Sequence, residues 1–270
     1  MNFYHKLERA WREKDSLVCV GLDPDIEKIP HHLKSHPRAI FDFNKQIIDA
    51  TADLTCAYKL QIAYYAAYAI ENQLTLTIKH IVDNYPHLPI ILDAKRNDIG
   101  STAKMYAKEA FERYSADAVT VNPYLGGDAL LPFLKNKDKG TIILCRTSNP
   151  GGNDLQHRKV DGRPLYQIVA EMAVKNWNGN RNVALVVGAT YPIELGEVRQ
   201  IVGAMPLLVP GIGAQKGDLK RTLQKGLTSN GTGMIINSSR GIIYAGDGPD
   251  FAQAARKATQ ELRSAINHYR

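Results

Sequence analysis

The sequence lacks most features that settle a class at a glance. No apolar run is long enough to span a bilayer. The first ten residues, Met1 to Ala10, lack the apolar core of a signal peptide. They read instead as a short amphipathic helix. Cysteine is scarce: Cys19, Cys56 and Cys145 are odd in number and far apart. That argues against a disulfide framework and predicts small core residues in a reduced, cytoplasmic protein. No cysteine pair has zinc-ligand spacing, and the 8 histidines are scattered. A basic run is missing too, although the formal charge is +7. Such a charge favours an anionic partner. Dispersed as it is, with no recognisable nucleic-acid module, it does not select nucleic acid. A phosphorylated metabolite explains it equally well.

What is present is a regular alternation. The chain has 270 residues and is 44% hydrophobic, enough for one large domain or two small ones. Short aliphatic runs read as strands at Ser16–Leu22, Cys56–Leu60, Pro89–Leu92, Ala118–Val121, Gly140–Cys145, Asn182–Val187, Pro206–Val209 and Thr232–Ile236. Helical patterns separate them, including one expected from Tyr64 to Tyr85 and one after Pro164, taken as a first-turn proline. Strict alternation predicts a parallel sheet covered by helices. Eight units in roughly 250 residues match a (β/α)8 TIM barrel with an extra N-terminal helix. The alternative is a doubly wound open sheet. The barrel is favoured because no Gly-x-Gly-x-x-Gly follows the first strand and polar residues sit at nearly every strand end. No linker-like shift in composition divides residues 1–270, so a single domain is expected. Residues 149–163, rich in Gly, Asn and charge, read as a long functional loop.

The strongest local signal is Asp93-Ala-Lys95-Arg-Asn-Asp98-Ile99-Gly-Ser-Thr102. A buried strand ends in two acids that bracket a lysine. Side chains alternate along a strand, so Asp93 and Lys95 are expected to point the same way. Each residue also has a plain structural reading: a strand-end ion pair for Asp93 and Lys95, a helix N-cap for Asp98. Three charges together after a strand buried on both faces are costly to desolvate, which favours chemistry.

The other strand ends offer Asp23, Lys59, Asn122, Ser148, Gln215 and Arg240. Asp23 and Asn122 each precede a proline and also read as turn residues. An ammonium at Lys59, deep in a barrel, needs a partner. Pro210-Gly-Ile-Gly-Ala-Gln215 is glycine-rich and leads into a helix, so backbone N–H groups can face an anion. Arg240 in the adjacent loop can bind a phosphate through two hydrogen bonds. In barrels these two loops often hold phosphate.

These residues resemble the orotidine 5′-phosphate decarboxylase family, over essentially the whole barrel. Asp93 to Thr102 matches its Asp-x-Lys-x-x-Asp-Ile-x-x-Thr pattern at every fixed position. The chain is similar to a longer, bacterial-type branch. The resemblance implies loss of CO2 from orotidine 5′-phosphate to give uridine 5′-phosphate (UMP), the last step of pyrimidine nucleotide synthesis, with no cofactor. It implies catalytic roles for Lys95, Asp93 and Asp98. It implies substrate binding by Asp23 and Lys59 at the ribose, Ser148 at the pyrimidine, and Pro210, Gln215 and Arg240 at the phosphate. It also implies a homodimer in which Asp98, Ile99 and Thr102 reach the partner's site. Neither Asn122 nor the 149–163 loop receives a role from it. Two rivals remain: a metal-dependent sugar-phosphate enzyme of the same superfamily, and a non-catalytic binder of nucleotides or nucleic acid. The first is disfavoured because strand two ends in Lys59, where a metal enzyme would offer an acid.

Overall fold

The computed structural model describes residues 1–212 and 217–270. Eight parallel strands close on themselves: β1 (Val18–Leu22), β2 (Ala57–Gln61), β3 (Ile90–Arg96), β4 (Ala118–Val121), β5 (Gly140–Arg146), β6 (Val183–Val187), β7 (Leu207–Pro210) and β8 (Met234–Ser238). Neighbours in sequence are neighbours in the barrel, and β8 pairs back onto β1 with Val18 opposite Ile236. That closing pair excludes the open doubly wound sheet. The strands are buried on both faces, as aliphatic runs such as Val-Ala-Leu-Val-Val in β6 require. Each fully buried Val, Leu or Ile stabilises the fold by about 1.5–3 kcal/mol relative to exposure.

The extra N-terminal helix, α1 (Phe3–Glu13), lies across the starts of β4 to β6. Its apolar face buries Phe3, Leu7, Ala10 and Trp11. Phe3 sits where a side chain on Gly140 would have to be: an added Cβ there would come within 2.4 Å of its ring. Lys6 pairs with Asp117 at 2.6 Å, and the Tyr4 hydroxyl donates to the Val183 carbonyl. The helix therefore seals the N-terminal mouth and leaves the other mouth for chemistry.

Three local expectations are corrected. The helix expected from Tyr64 to Tyr85 is two helices, Ile62–Ala66 and Glu71–Asn84. Between them Ala69 takes φ +52°, the left-handed conformation usually given to glycine. An alanine in that role leaves no signal in the sequence. Pro164 is the N-cap, and the helix begins one residue later at Leu165. The 149–163 stretch is also more ordered than its composition suggests. It forms a 3-10 turn over Pro150–Asp154 and a two-stranded hairpin pairing Lys159 with Pro164.

Candidate active site

At the C-terminal mouth the ends of β1, β2 and β3 assemble an alternating row of charges. Lys59 rises from β2 and donates to Asp93 Oδ2 at 2.9 Å and to Asp23 Oδ1 at 3.3 Å. Lys95 donates to the other oxygen of Asp93, Oδ1, at 2.7 Å. The order is therefore Asp23, Lys59, Asp93, Lys95. The side chain of Lys59 is only 4% exposed, whereas that of Lys95 is 45% exposed. Burial works against the Lys59 ammonium, but Asp23 and Asp93 outweigh it and raise its pKa above the ordinary lysine value. For Asp93, burial alone would raise the pKa. Lys59 and Lys95 reverse that and hold the carboxyl well below the usual carboxylate range.

Asp93 and Lys95 do converge, but not by simple alternation. β3 runs on to Arg96, and its pairing with β4 slips between Leu92 and Arg96. Lys95 takes φ +45°, unusual for a residue with a side chain. The β4 residue facing this bulge is Thr120. Its hydroxyl accepts the N–H groups of Ala94 and Lys95, each at 3.0 Å, and donates to Asp93 Oδ1 at 2.8 Å.

The row lines a cavity of about 540 Å³, a size suited to a small phosphorylated ligand. Ser148, Pro210 and Arg240 line it too, so the expected ribose, ring and phosphate residues face one space. Ser148 is set by its neighbours. Its carbonyl accepts from Thr190, and its Cα would lie within 2.7 Å of a Cβ on Gly188, so only glycine fits there. Just before it, Arg146 is fully buried and clasps the long loop. It donates to Asn153 Oδ1 at 2.7 Å and lies 3.6 Å from the centroid of the Tyr191 ring. Gln156 completes the clasp by accepting the Thr147 N–H at 2.8 Å. Near the phosphate side, the Gly217 N–H bonds the Gly211 carbonyl at 3.1 Å, and Gly211 itself has φ +103°.

Other predicted residues lie elsewhere. Neither a hydrogen bond nor an ion pair joins Asp98 to Lys95. The Asp98 carboxylate accepts the N–H of Ile99, and the next helix (Gly100–Lys108) has Ile99 as its N-cap residue without a side-chain cap. So Asp98 is not the helix cap, and the three-charge cluster does not form within one chain. Ile99 and Thr102 are exposed outside the cavity, Ile99 by 58%. Gln215 falls outside the described residues. Asn122 proves to be a turn residue whose side chain accepts the Tyr124 N–H at 3.0 Å. Sequence reasoning missed Thr120 and Arg146. The available signal was a polar residue within the aliphatic run of β4 and a charged one at the end of β5.

Not every buried cation serves the site. Arg199 donates to the carbonyls of Gly203, Met205, Gly226 and Gly233 at 2.6 to 2.7 Å, next to the starts of β7 and β8. It has no acid partner there, and burial lowers its pKa to about 10. Its work is structural. Among the described residues no group of three or more His, Cys, Asp or Glu side chains is placed to hold a metal ion.

A closed parallel barrel with one sealed lysine, one open lysine and two acids converging at its C-terminal mouth defines a (β/α)8-barrel enzyme. The model of the Orotidine 5′-phosphate decarboxylase / HUMPS family matches residues 16–258. The chain belongs to that family and is a carboxy-lyase. It is 58% identical over 269 residues to the orotidine 5′-phosphate decarboxylase of Janthinobacterium sp. (strain Marseille), covering 100% of this chain and 99% of the relative. It is 57% identical to that of Azoarcus sp. (strain BH72), covering 100% of both. The solved Leishmania donovani OMP decarboxylase superposes with a TM-score of 0.87 at 39% identity, over 100% of this chain and 98% of that one.

Proposed function

We propose that the protein decarboxylates orotidine 5′-phosphate to UMP, with Lys95 stabilising charge at C6 and then protonating it. Family membership supports the overall reaction. The observation that carries the lysine's role is the 2.7 Å pairing of Lys95 with a buried, ionised Asp93 at the open end of the charge row. The bond between C6 and the carboxylate breaks, CO2 departs, and the electron pair stays on C6 in the ring plane. A fixed ammonium stabilises that pair as it develops and then gives C6 a proton. Asp93 lies near the departing carboxylate and keeps Lys95 charged. Asp23 and Lys59 hold the ribose hydroxyls, and Ser148 bonds the pyrimidine. Pro210, Gln215 and Arg240 grip the phosphate, whose binding energy organises the site. No cofactor takes part.

The active unit is a homodimer. Ile99 and Thr102 are exposed, Asp98 is half-buried, and none of the three lines the chain's own cavity, which suits residues that complete a neighbour's site. Residues 1–270 work as one domain, in the cytoplasm, where the three buried, unpaired cysteines stay reduced.

The test follows the ultraviolet change as orotidine 5′-phosphate becomes UMP. Wild-type protein turns over with or without EDTA, and Lys95→Ala loses nearly all turnover. Near-normal turnover by Lys95→Ala removes the lysine from its assigned role.

A further inference from the structure

We infer that Thr120 is a positioning residue of this site: its hydroxyl holds the β3 bulge that aims Lys95 and fixes the carboxylate of Asp93. The inference rests on the reading of Lys95 as the reacting group. It starts from register. β4 pairs Val119 with Leu92 and Val121 with Arg96, so the single residue Thr120 faces Asp93, Ala94 and Lys95. Regular strands cannot pair in that ratio. The surplus residues form a bulge, a device that re-aims a side chain.

The bulge creates a hydrogen-bonding problem. Successive N–H groups, those of Ala94 and Lys95, converge on one place instead of alternating between neighbours. Both need an acceptor in a part-buried setting. Thr120 provides one, being 1% exposed. A hydroxyl has two acceptor positions and one proton. The two N–H groups occupy both acceptor positions, so the proton goes to Asp93 Oδ1, in agreement with the 2.8 Å separation. All of its capacity is used, on three consecutive residues of the catalytic segment.

Two consequences for chemistry follow. Lys95 carries a backbone conformation that a residue with a side chain adopts at a cost, so something must over-determine it. The Lys95 N–H bond to Thr120 acts at that residue itself. Asp93 Oδ1 receives both Lys95 Nζ and the Thr120 hydroxyl. The hydroxyl thereby sets the direction from which the ammonium approaches. Thr120 is not needed for phosphate or ribose binding, which other strand ends serve.

The experiment compares wild type, Thr120→Val and Thr120→Ser. It measures kcat and KM for orotidine 5′-phosphate, UMP affinity by calorimetry, and the thermal midpoint. Valine keeps the shape and removes all three hydrogen bonds. It is expected to lower kcat about 10²-fold, the scale of a 1 Å misplacement, while KM and UMP affinity stay within about threefold. Thr120→Ser restores the hydroxyl and recovers most of kcat. If Thr120→Val does not fold, Thr120→Ala takes its place with the same expectation. An unchanged kcat in the hydroxyl-free variant overturns the inference. So does a loss of UMP affinity as large as the loss of kcat, or a folded serine variant as slow as the valine one. Wild-type turnover separates the two levels: its absence sinks the decarboxylase reading, whereas its presence beside an unaltered hydroxyl-free variant sinks only the role of Thr120.

Discussion

Lys59→Met removes the sealed cation of the charge row and leaves its shape nearly intact. Lys59 lies 2.9 Å from Asp93 and 3.3 Å from Asp23. Asp23 is partly exposed and can hydrate, but Asp93 is almost wholly buried and keeps Lys95 as its one cation, beside the Thr120 hydroxyl. Breaking a buried pair by deleting one partner costs about 3–5 kcal/mol. In a chain of this size that lowers the melting temperature on the order of 10 °C. The pH dependence gives the sharper test. In the parent, Asp93 has a depressed pKa, so its contribution is complete above the ordinary carboxylate pKa of about 4 and fades as pH falls below it. Lys59 has a raised pKa, so its contribution is complete below about 10.4 and fades as pH rises through the higher folded value. Between these limits the row adds no slope. In Lys59→Met, the buried carboxyl loses its largest opposing charge and its pKa rises. The native state then binds more protons than the unfolded state, so stability falls as pH rises. The limiting slope is about 1.4 kcal/mol per pH unit for one proton. Urea titrations at about pH 5.5 and about pH 8.5, at one fixed protomer concentration, read this directly. A variant with the parent's midpoint, or with the same loss at both pH values, refutes the electrostatic account of the row.

Three further outcomes are expected. Arg240→Ala should lower kcat/KM for orotidine 5′-phosphate by about 10- to 150-fold, the value of a charge-assisted hydrogen bond worth about 1.5–3 kcal/mol. The phosphate-free nucleoside should be nearly unaffected, and equal losses on both would remove Arg240 from the phosphate. Mixing inactive Asp98→Ala with inactive Lys95→Ala subunits should restore part of the activity. No recovery despite demonstrated subunit exchange rules out a shared site. Burial raises the thiol pKa of Cys56 and Cys145 to about 12 and that of Cys19 also upward. The native protein should therefore resist a thiol-titrating disulfide reagent at mildly alkaline pH, and all three thiols should react once it is unfolded. Rapid reaction of the native protein contradicts the assigned burial.

The strands were legible because burial on both faces leaves a compositional trace. Runs such as Val183–Val187 have no polar face to disguise them. Lys59 stood out for the same reason, as one charge in an aliphatic run, and the partner it was expected to need proves to be two acids, Asp23 and Asp93. The bulge at Lys95 was not legible. A positive φ on lysine and the slip of β3 against β4 depend on a partner strand and not on local propensity. Thr120 was passed over because threonine is an ordinary strand residue, and its value appears only when the bulge faces it. Ala69 hid a helix break in the same way. Asp98 was read in isolation as a helix cap, but its carboxylate accepts the neighbouring Ile99 N–H, a contact that residue spacing does not announce.

The charge row has two unlike ends, and this bears on how the protein prepares for its next substrate. Decarboxylation consumes one proton for each CO2 released. Under the proposed chemistry that proton comes from Lys95. Two acids and two lysines sum to zero before the transfer, and the row is left with one excess negative charge after it. That imbalance favours recharging of an amine, and only one amine is in contact with water. Lys59 is sealed at 4% exposure, while Lys95 stands 45% exposed at the cavity. Replenishment therefore enters where the proton left, and the sealed half of the row stays in one protonation state from cycle to cycle.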